Sequence, residues 1–332
     1  MRVAVVGATG VVGGTMLAVL RERSFPASEI VPFASPRSEG SEVQRLRVRA
    51  LTSSADIGGF DMALFSAGAE RSREWAPKFV ETGATVVDNS SAFRRDPAVP
   101  LVVAGVNDHA LTGNRGLIAN PNCSTMQMVV ALAPIHRAVG LERIVVATYQ
   151  SVSGTGKRAI DELEGQAHSS LHGMDMPPAE VYPEPIAFNV IGAAGSFAEG
   201  DDYTDEERKL MFETRKILDD QEIGVSATCV RVPVRVGHSL AVNLQTREPL
   251  SVPQAKELLS GAPGVRLDEL PTPLKAEGRD EVFVGRIRRD GSHPRALNMW
   301  IVSDNLRKGA ATNAVQIAEA LAASAGIPAR VA

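Results

Sequence analysis

The chain has 332 residues, 44% of them hydrophobic, and its 35 basic and 39 acidic side chains give a formal net charge of −4. Such a length predicts two domains, and the mixed charges exclude nucleic acid and membrane surfaces as partners, which leaves small molecules. With two cysteines there is neither a disulfide framework nor a clustered metal site, so we predict a cytoplasmic protein without a metal, signal peptide or membrane anchor.

The N-terminal residues favour a dinucleotide-binding turn. Arg2 to Ala8 is rich in Val and Ala, as in a strand buried on both faces of a parallel sheet. Gly7, Gly10 and Gly13 then lead into a helix predicted from Val11 to Arg23, and glycine at these positions permits a tight turn and close approach to a phosphate. The spacing differs from GxGxxG, so a purely structural turn is the alternative.

The second strand, Ile30 to Ala34, predicts which dinucleotide binds. It runs into Ser35-Pro36-Arg37-Ser38 and not into the acidic residue that would bind a ribose 2′-hydroxyl. A cation with hydroxyls suits a 2′-phosphate, so we predict NADP over NAD. Arg37 as a solvated loop residue is the alternative, and the nearby Glu39 weakens the inference.

Further βα units continue the sheet. Strands at Met62 to Ser66 and Thr85 to Asp88 enclose a helix at Ser72 to Glu81, which is the alternation of a doubly wound fold. A polar loop, Asn89 to Arg95, follows at a strand end where ligands gather in such sheets. Arg94 or Arg95 is a candidate anion clamp, and two solvated arginines are the alternative.

The stretch Asn120-Pro121-Asn122-Cys123-Ser124-Thr125 predicts a sharp turn between a strand at Gly116 to Ala119 and a helix. At a helix N-terminus the unpaired N–H groups and the macrodipole favour a thiolate, so Cys123 is a candidate nucleophile. A buried cysteine that acts as a small hydrophobe is the alternative.

A second polar loop follows the strand predicted at Glu142 to Thr148. It begins at Tyr149 and is not a P-loop, because Ser151 and Arg158 stand where that motif needs Gly and Ser or Thr. Lys157 to Ala167 predicts a helix, and His168 to Gly200, rich in Pro, Gly and Met, predicts a long loop that covers a site or an interface.

Thr204 and Glu207 predict a capping box that opens a helix running to about Asp219. On that helix Glu206 and Lys209 share a face. Such a pair is ordinarily a solvated surface salt bridge.

Cys229 to Val236 alternates and predicts a strand with its valines on one face and Arg231 and Arg235 on the other. We expect Arg231 to point away from the packed valines, toward a carboxylate or phosphate. His238, after the hinge glycine Gly237, is the best acid/base candidate, with a structural histidine as the alternative.

The remaining elements are a helix at Val252 to Leu259, strands at Glu281 to Arg288 and Ala296 to Val302, and a final helix at Lys308 to Ala325. The small-residue face of that last helix predicts its return to the sheet of the first domain.

Five segments are distinctive in combination. They are Gly7 to Gly13, Asn120 to Thr125, Gln150 with Ser153-Gly154, Arg231 to His238, and Ser303 to Asn305. In this order, and over nearly the whole chain, they resemble the aspartate-semialdehyde dehydrogenase family.

The resemblance implies roles for individual residues. In that family a cysteine forms an acyl-thioester, a histidine is the general acid/base and a glutamine orients the intermediate, which implies Cys123, His238 and Gln150. The substrate residues implied are Arg231 for the carboxylate, Arg94 and Lys209 for the phosphate, and Glu206 for the amino group. The cofactor residues implied are Gly7, Thr9, Gly10, Val11, Val12, Gly13, Arg37, Ser38, Ser153, Gly154 and Asn305.

The resemblance also implies an α/β fold: an N-terminal Rossmann-like doubly wound sheet (1–124 plus 306–332) and a second α+β catalytic and dimerisation domain (125–305), an architecture like that of glyceraldehyde-3-phosphate dehydrogenase. The activity implied is reversible, NADPH-dependent reductive dephosphorylation of L-aspartyl 4-phosphate by a homodimer, in the biosynthesis of lysine and diaminopimelate, threonine, methionine and isoleucine. The alternatives are a related acyl-phosphate reductase, such as N-acetyl-glutamyl-phosphate reductase, and a non-catalytic NADP-binding sensor.

Overall fold

The computed structural model describes residues 1–52, 57–324 and 326. The chain forms two compact units: unit 1 is Met1–Asn122 together with the described residues from Ala310 onward, and unit 2 is Cys123–Gly309. Ala325, the last residue of the predicted final helix, lies outside the described residues.

Unit 1 is built on a six-stranded, wholly parallel sheet with the strand order β5-β2-β1-β6-β7-β8. Its strands are β1 (Arg2–Val6), β2 (Glu29–Ala34), β5 (Arg49–Ala50), β6 (Met62–Phe65), β7 (Thr85–Asp88) and β8 (Leu117–Ala119). A small antiparallel pair, β3 (Glu42–Val43) and β4 (Leu46–Arg47), lies beside it in the chain.

Helices cover both faces of this sheet. Because side chains alternate along β1, Val3 and Val5 pack with α1 (Val11–Glu22) and α8 (Thr312–Ser324). The opposite face packs against α2 (Ala69–Glu81) through an aromatic cluster. The predicted Rossmann-like doubly wound sheet is confirmed, and the small-residue face of α8 packs on it as expected.

Unit 2 is built on a mixed six-stranded sheet with the order β10-β9-β11-β14-β13-β12. Its strands are β9 (Leu141–Gln150), β10 (Gly224–Arg231), β11 (His238–Thr246), β12 (Val265–Leu267), β13 (Val282–Arg289) and β14 (Ala296–Ser303). The helices are α3 (Cys123–Val139), α4 (Lys157–Leu171), α5 (Asp205–Leu218), α6 (Val252–Ser260) and α7 (Pro273–Ala276).

The strand predicted at Cys229 to Val236 was wrong. β10 ends at Arg231, and the following residues form an irregular connection before His238 opens β11. Pro233 has no N–H to give to a ladder, which explains the break despite the alternating valines. Along β10, Arg231 lies on the face opposite Val230, as expected, but the buried face is that of Cys229 and Arg231 and not that of the valine.

The predicted final helix differs at its start. A π-helical turn spans Arg307–Ala311, and the regular helix α8 begins only at Thr312. Within the described part of the chain, none of the helices is long and apolar enough to cross a membrane.

Candidate active site

Three of the predicted site residues lie at one end of the sheet of unit 2. Gln150 is the last residue of β9 and Arg231 the last residue of β10, and these parallel neighbours pair in register. His238 is the first residue of β11, which runs antiparallel to β9, so it begins where the other two strands end. All three side chains are buried, with 1%, 7% and 0% exposure respectively.

Cys123 is the first residue of α3, as predicted, and is half-buried. One turn later on the same helix face, the Gln127 side chain donates a hydrogen bond to the backbone carbonyl of His238 (3.3 Å). This contact brings the start of α3 to the beginning of β11. The π-helical turn also passes close to Cys123, because a Cβ built on Gly309 would lie 3.1 Å from the Cys123 Cβ.

The position of His238 is fixed by a hydrogen bond to its ring and by the backbone conformation of the preceding glycine. The backbone N–H of Ser151 donates to Nδ1 (3.0 Å). Burial and the Arg231 charge hold the pKa of His238 well below its usual range. Gly237 before it has a φ of +96°, and a Cβ there would lie 2.9 Å from Pro273, so only glycine fits this turn.

A buried polar cluster surrounds the imidazole. The Asn305 side-chain oxygen accepts from the Gly237 N–H (2.9 Å), and its Nδ2 donates to the Ser153 hydroxyl (2.9 Å). The Ser151 hydroxyl lies 3.0 Å from both the Asn305 Oδ1 and the His238 Nδ1. Sequence reasoning assigned Ser153 and Asn305 to the cofactor and missed Ser151 entirely, although it stands beside Gln150 in the polar loop.

Arg231 is oriented by a backbone group and an aromatic ring. Its Nη1 donates to the Ser151 carbonyl (2.7 Å), and the guanidinium carbon lies 5.5 Å from the centre of the Tyr182 ring. The Tyr182 hydroxyl donates to Thr155 Oγ1 (2.9 Å), and burial raises the pKa of this phenol. Tyr182 belongs to the long loop predicted to cover a site, but no local pattern distinguished it in the sequence.

Several buried nitrogen atoms of this cluster have no hydrogen-bond partner among the described residues. They are Gln150 Nε2, Arg231 Nε and His238 Nε2. Leaving a buried polar atom unsatisfied costs about 1–3 kcal/mol, so unpaired donors gathered in one place indicate a site that a ligand completes. Amide and guanidinium donors suit oxygen-rich, anionic ligands.

The N-terminus of α5 carries the predicted Glu206 and Lys209, which form an ion pair (2.7 Å). The two side chains are 16% and 21% exposed, so the ordinary interpretation as a solvated pair was wrong. Although burial lowers the pKa of Lys209, the nearby carboxylates of Glu206 and Asp205 raise it overall. The predicted capping box is present, and Glu207 also accepts from the Cys229 N–H (2.9 Å), which ties α5 to β10.

In unit 1 the two loop arginines differ in burial. Arg94 is 8% exposed, and its Nη2 donates to the Asn89 carbonyl (2.9 Å), whereas Arg95 is exposed. Asp88, which ends the preceding strand, is buried, and desolvation raises its pKa despite hydrogen bonds from Ser90 and Ser72. The buried arginine of the loop is therefore Arg94.

A cavity of about 310 Å³ opens at the carboxyl ends of β1, β2 and β6 in unit 1. It is lined by Val6, Gly7, Thr9, Gly10, Ala34, Ser35, Leu51, Ser66, Ala67 and Arg71. Gly7 has a φ of +85°, and a Cβ on it would lie 2.3 Å from the Ser66 carbonyl oxygen, so a side chain would fill this cradle.

The cradle fits a dinucleotide. Gly10 precedes α1 and provides no side-chain cap for the N–H groups at its start, where Val11 and Val12 lie, and such groups bind phosphate. Arg71, in the first turn of α2, lines the cavity and was missed by the sequence analysis. Arg37 and Ser38 lie in the 3₁₀ turn directly after Ser35 and are not among the residues that line the cavity.

Comparison with known proteins identifies the family. Residues 2–114 match the model of the semialdehyde dehydrogenase NAD binding domain, and residues 132–308 match that of the semialdehyde dehydrogenase dimerisation domain. The aspartate-semialdehyde dehydrogenase of Aquifex aeolicus is 53% identical over 96% of this chain and 97% of its own length. The chain belongs to the aspartate-semialdehyde dehydrogenase family.

Two solved structures extend this result. The aspartate semialdehyde dehydrogenase II of Vibrio cholerae complexed with ASA has a TM-score of 0.93 and 49% identity, with 97% of this chain and 98% of that chain covered. The Candida albicans enzyme with NADP has a TM-score of 0.74 and 26% identity, with 98% and 99% covered. The family predicted from the motifs is confirmed, and with it an oxidoreductase that has a nicotinamide-dinucleotide-binding domain.

Proposed function

We propose that this chain catalyses the reversible, NADPH-dependent reductive dephosphorylation of L-aspartyl 4-phosphate to L-aspartate 4-semialdehyde. The observation that carries the proposal is the meeting of Gln150, Arg231 and His238 at one sheet end, beside the helix that begins at Cys123. The relatives named for this activity cover nearly the whole chain, and they do not favour N-acetyl-glutamyl-phosphate reductase or a non-catalytic sensor. The reaction serves the biosynthesis of lysine and diaminopimelate, threonine, methionine and isoleucine.

Cys123 is the nucleophile. Its thiolate attacks the acyl carbon, and phosphate leaves as the thioester forms. The other cysteine does not compete, because burial raises the pKa of the Cys229 thiol to about 12. Gln150 orients the acyl group with its amide nitrogen, which has no partner among the described residues, and the backbone N–H groups at the start of α3 are further donors for the acyl oxygen.

The charged side chains hold the two ends of the substrate. The Arg231 guanidinium matches the substrate carboxylate with its fork of donors. Arg94 and Lys209 bind the phosphate, and Glu206 binds the amino group. Fixing both ends of the substrate positions the carbon that reacts. His238 is the remaining group of the site, and its family role of general acid/base stays a prediction.

The cofactor is NADP, held by unit 1. When bound, NADPH supplies the hydride that converts the thioester into the semialdehyde. The glycine cradle and the start of α1 would hold the pyrophosphate, and Ser35, Arg37, Ser38 and Arg71 are the residues that would bind the ribose 2′-phosphate. The lack of an acidic residue at the end of β2 and the Candida albicans enzyme with NADP support this choice. Unit 1 is the NADP domain and unit 2, which begins at Cys123, is the catalytic and dimerisation domain. The sequence-based bounds, residues 1–124 plus 306–332 and residues 125–305, differ from the two units by a few residues at each join and stay a prediction.

The working form is a homodimer. This rests on the match of residues 132–308 to a dimerisation domain. Exposed apolar side chains concentrate in the irregular segment between α4 and α5 and agree with it. They include Met174, Met176, Phe188, Val190 and Phe197. The cytoplasmic location drawn from the cysteine content stays a prediction.

Substitution of the nucleophile is the decisive test of the proposed function. Purified protein is expected to reduce NADP when given L-aspartate 4-semialdehyde and phosphate, followed by absorbance of the reduced cofactor. Cys123→Ala is expected to eliminate this turnover while NADP binding, followed by protein fluorescence, is retained. Cys229→Ala is the matched control and is expected to keep turnover. Turnover of N-acetyl-glutamate semialdehyde alone would overturn the substrate, and NADP binding without turnover of any aldehyde would overturn the enzyme assignment.

A further inference from the structure

Two side chains that are distant in the sequence, Tyr182 and Arg231, meet beside the loop that follows β9. The Arg231 guanidinium carbon lies over the Tyr182 ring, 5.5 Å from its centre, and an aromatic face attracts a cation within roughly 6 Å. Arg231 Nη1 also donates to the Ser151 carbonyl of that loop (2.7 Å). The Tyr182 hydroxyl donates to Thr155 Oγ1 in the same loop (2.9 Å). The cation, the ring and the loop thus form a closed set of contacts.

The segment that carries Tyr182 is anchored to α4 on both sides of this residue. Glu162 Oε2 accepts from the backbone N–H groups of residues 180 and 181 (2.8 and 2.7 Å). One turn later on α4, Oε1 of the buried Gln166 accepts from those of residues 186 and 187 (2.9 and 3.2 Å). The backbone around Tyr182 is therefore fixed by two side chains of a single helix.

Farther along, the same segment pairs with the backbone of Arg231 itself. The Ile191 N–H donates to the Arg231 carbonyl (3.0 Å), and the Arg231 N–H donates to the Ile191 carbonyl (2.9 Å). The Tyr182 ring packs at the edge of an apolar cluster that includes Val152 and Ile186. Backbone pairing and packing therefore fix the ring and the guanidinium relative to each other.

An aromatic ring can orient Arg231 without neutralising it. Among the described residues Arg231 has no ion-pair partner, and its buried Nε has no hydrogen-bond partner. A carboxylate in the place of Tyr182 would occupy the N–H donors and compete with an anionic ligand. The face of a ring attracts the cation but accepts none of its in-plane hydrogen bonds. The charge and the free donors of Arg231 thus stay available to a ligand.

We propose that Tyr182 is a positioning residue for substrate binding, whose ring orients the Arg231 guanidinium toward the carboxylate of the substrate. That a substrate carboxylate is the ligand rests on the proposed function. Burial raises the pKa of the Tyr182 phenol although the Arg231 charge opposes the rise, so the hydroxyl stays a donor to Thr155. The ring acts on Arg231, and the hydroxyl holds the ring in place.

Steady-state kinetics separate this role from a general disturbance of the fold. Tyr182→Leu is expected to raise the KM for L-aspartate 4-semialdehyde by about 3–30-fold, the effect of losing a partly desolvated cation–π contact. The kcat and the KM for phosphate are expected to change by less than about twofold, because the lost contact serves substrate binding alone. An unchanged KM for the semialdehyde, or an equal rise in both KM values, would overturn the proposal.

A second variant separates the ring from the hydroxyl. Tyr182→Phe keeps the ring and loses the bond to Thr155, so the KM for the semialdehyde is expected to rise by less than about threefold. A rise as large as that in Tyr182→Leu would assign the effect to the hydroxyl and overturn the role of the ring. If Tyr182→Leu does not fold, Tyr182→Met provides the same test, since methionine fills irregular space without an aromatic face.

A double-mutant cycle tests whether Tyr182 acts through Arg231. In an Arg231→Lys background, Tyr182→Leu is expected to raise the KM by less than about twofold, because an ammonium group has no planar fork to orient. The same factor in both backgrounds would show that Tyr182 acts independently of Arg231 and would overturn the proposal.

The matched control is Tyr203→Leu. Tyr203 also lies against an arginine, with the Arg208 guanidinium carbon 4.4 Å from the centre of its ring, but Arg208 is paired with Asp201 and has no part in the proposed site. Its loss is expected to leave the KM for the semialdehyde unchanged. An equal rise in Tyr203→Leu and Tyr182→Leu would overturn the specific role of Tyr182.

Equilibrium binding distinguishes a failure of this inference from a failure of the proposed function. L-Aspartate 4-semialdehyde is titrated calorimetrically into Cys123→Ala and into Cys123→Ala combined with Tyr182→Leu. Binding to the first protein that is weakened in the second, by about 3–30-fold, is the expected result. Equal binding by both proteins would overturn the inference alone, whereas no binding to Cys123→Ala would overturn the proposed function and this inference with it.

Discussion

The Arg231 guanidinium uses one of its nitrogen atoms in a hydrogen bond within the protein, and another has no partner among the described residues. Nη1 is occupied by the Ser151 carbonyl and the Tyr182 ring lies beside it, while Nε has no partner among the described residues. A side chain held in this way is pre-organised for a ligand, because its rotamer is fixed before the ligand arrives.

Replacing the fork of donors at this position should weaken substrate binding. Arg231→Lys is expected to raise the KM for L-aspartate 4-semialdehyde by about 10–100-fold, because an ammonium cannot make two parallel bonds to a carboxylate. Arg235→Lys is the matched control, since Arg235 is exposed and paired with Glu164. The assignment fails if the two variants have the same KM.

The proposed preference for NADP depends on single residues. Arg71 lines the cavity of unit 1 beside Ser35, whereas Arg37 lies in the neighbouring 3₁₀ turn. Arg71→Ala is expected to weaken binding of 2′,5′-ADP by about tenfold or more and binding of 5′-AMP much less, since a lost charge pair affects only the ligand with the 2′-phosphate. Calorimetric titration of Arg37→Ala with the same two ligands shows which arginine binds the 2′-phosphate. Equal weakening of both ligands by Arg71→Ala would place Arg71 at another part of the nucleotide.

Among the elements, α5 depends most clearly on its first turn. Thr204 Oγ1 accepts from the Glu207 N–H (3.3 Å), and Glu207 Oε2 accepts from the Thr204 N–H (2.8 Å). Thr204→Ala is expected to lower the free energy of unfolding by about 1 kcal/mol, measured in urea. Because Lys209 lies on the next turn, the KM for phosphate should rise as well.

The capping box of α6 provides the comparison. Ser251 and Gln254 form the same motif at an exposed position. Ser251→Ala should cost a similar amount of stability without changing the KM for phosphate. An unchanged KM in Thr204→Ala would separate the α5 cap from substrate binding.

Regular elements were predictable where one physical signal dominated. The apolar run of β1, the glycines after it and the capping box at Thr204 each determine local structure by themselves, and the structure has all of them. The connection after β10 was not predictable in this way, because two signals conflict there. The alternating valines favour a continued strand, whereas Pro233 favours a break. β11 was not predicted, although Leu240, Val242 and Leu244 alternate on its buried face.

The site residues were likewise predictable only where a local sequence signal marked them. Cys123 stands out locally, because a thiol at the start of a helix has a chemical signature. Ser151 and Tyr182 do not, since their contacts with Arg231 arise only when strands and loop meet in three dimensions. Contacts between residues that are far apart in the sequence depend on the tertiary fold, and local sequence patterns do not reveal them.

For the whole molecule, the buried His238 and the half-buried His136 contribute to the response to acid. Burial and the Arg231 charge lower the pKa of His238, and burial lowers that of His136 despite the nearby Asp220. The unfolded chain takes up protons below about pH 6.5, whereas the folded state resists them, so this stability is full above that pH and is lost as the pH falls.

Calorimetric unfolding can isolate the contribution of His238 to the pH dependence of stability. The free energy of unfolding of the unmodified protein is expected to fall below about pH 6.5, by up to about 1.4 kcal/mol per pH unit for each such histidine. His238→Gln should show a shallower fall, and the difference between the two proteins cancels acidic groups such as Asp88, whose raised pKa acts with the opposite sign. Identical pH dependence in both proteins would contradict a neutral, buried His238.

The close approach of Gly309 to Cys123 has a consequence for how the chain is put together. These residues are the last and the first of unit 2, and a Cβ on Gly309 would lie 3.5 Å from the Cys123 Cα. Unit 2 is thus an insertion with adjoining ends, which interrupts the dinucleotide-binding fold between Asn122 and Ala310. Insertions of this kind are tolerated because their host needs no long linkers to accommodate them. The proposed nucleophile, Cys123, is the first residue of the inserted segment, so the insertion contains it together with Gln150, Arg231 and His238.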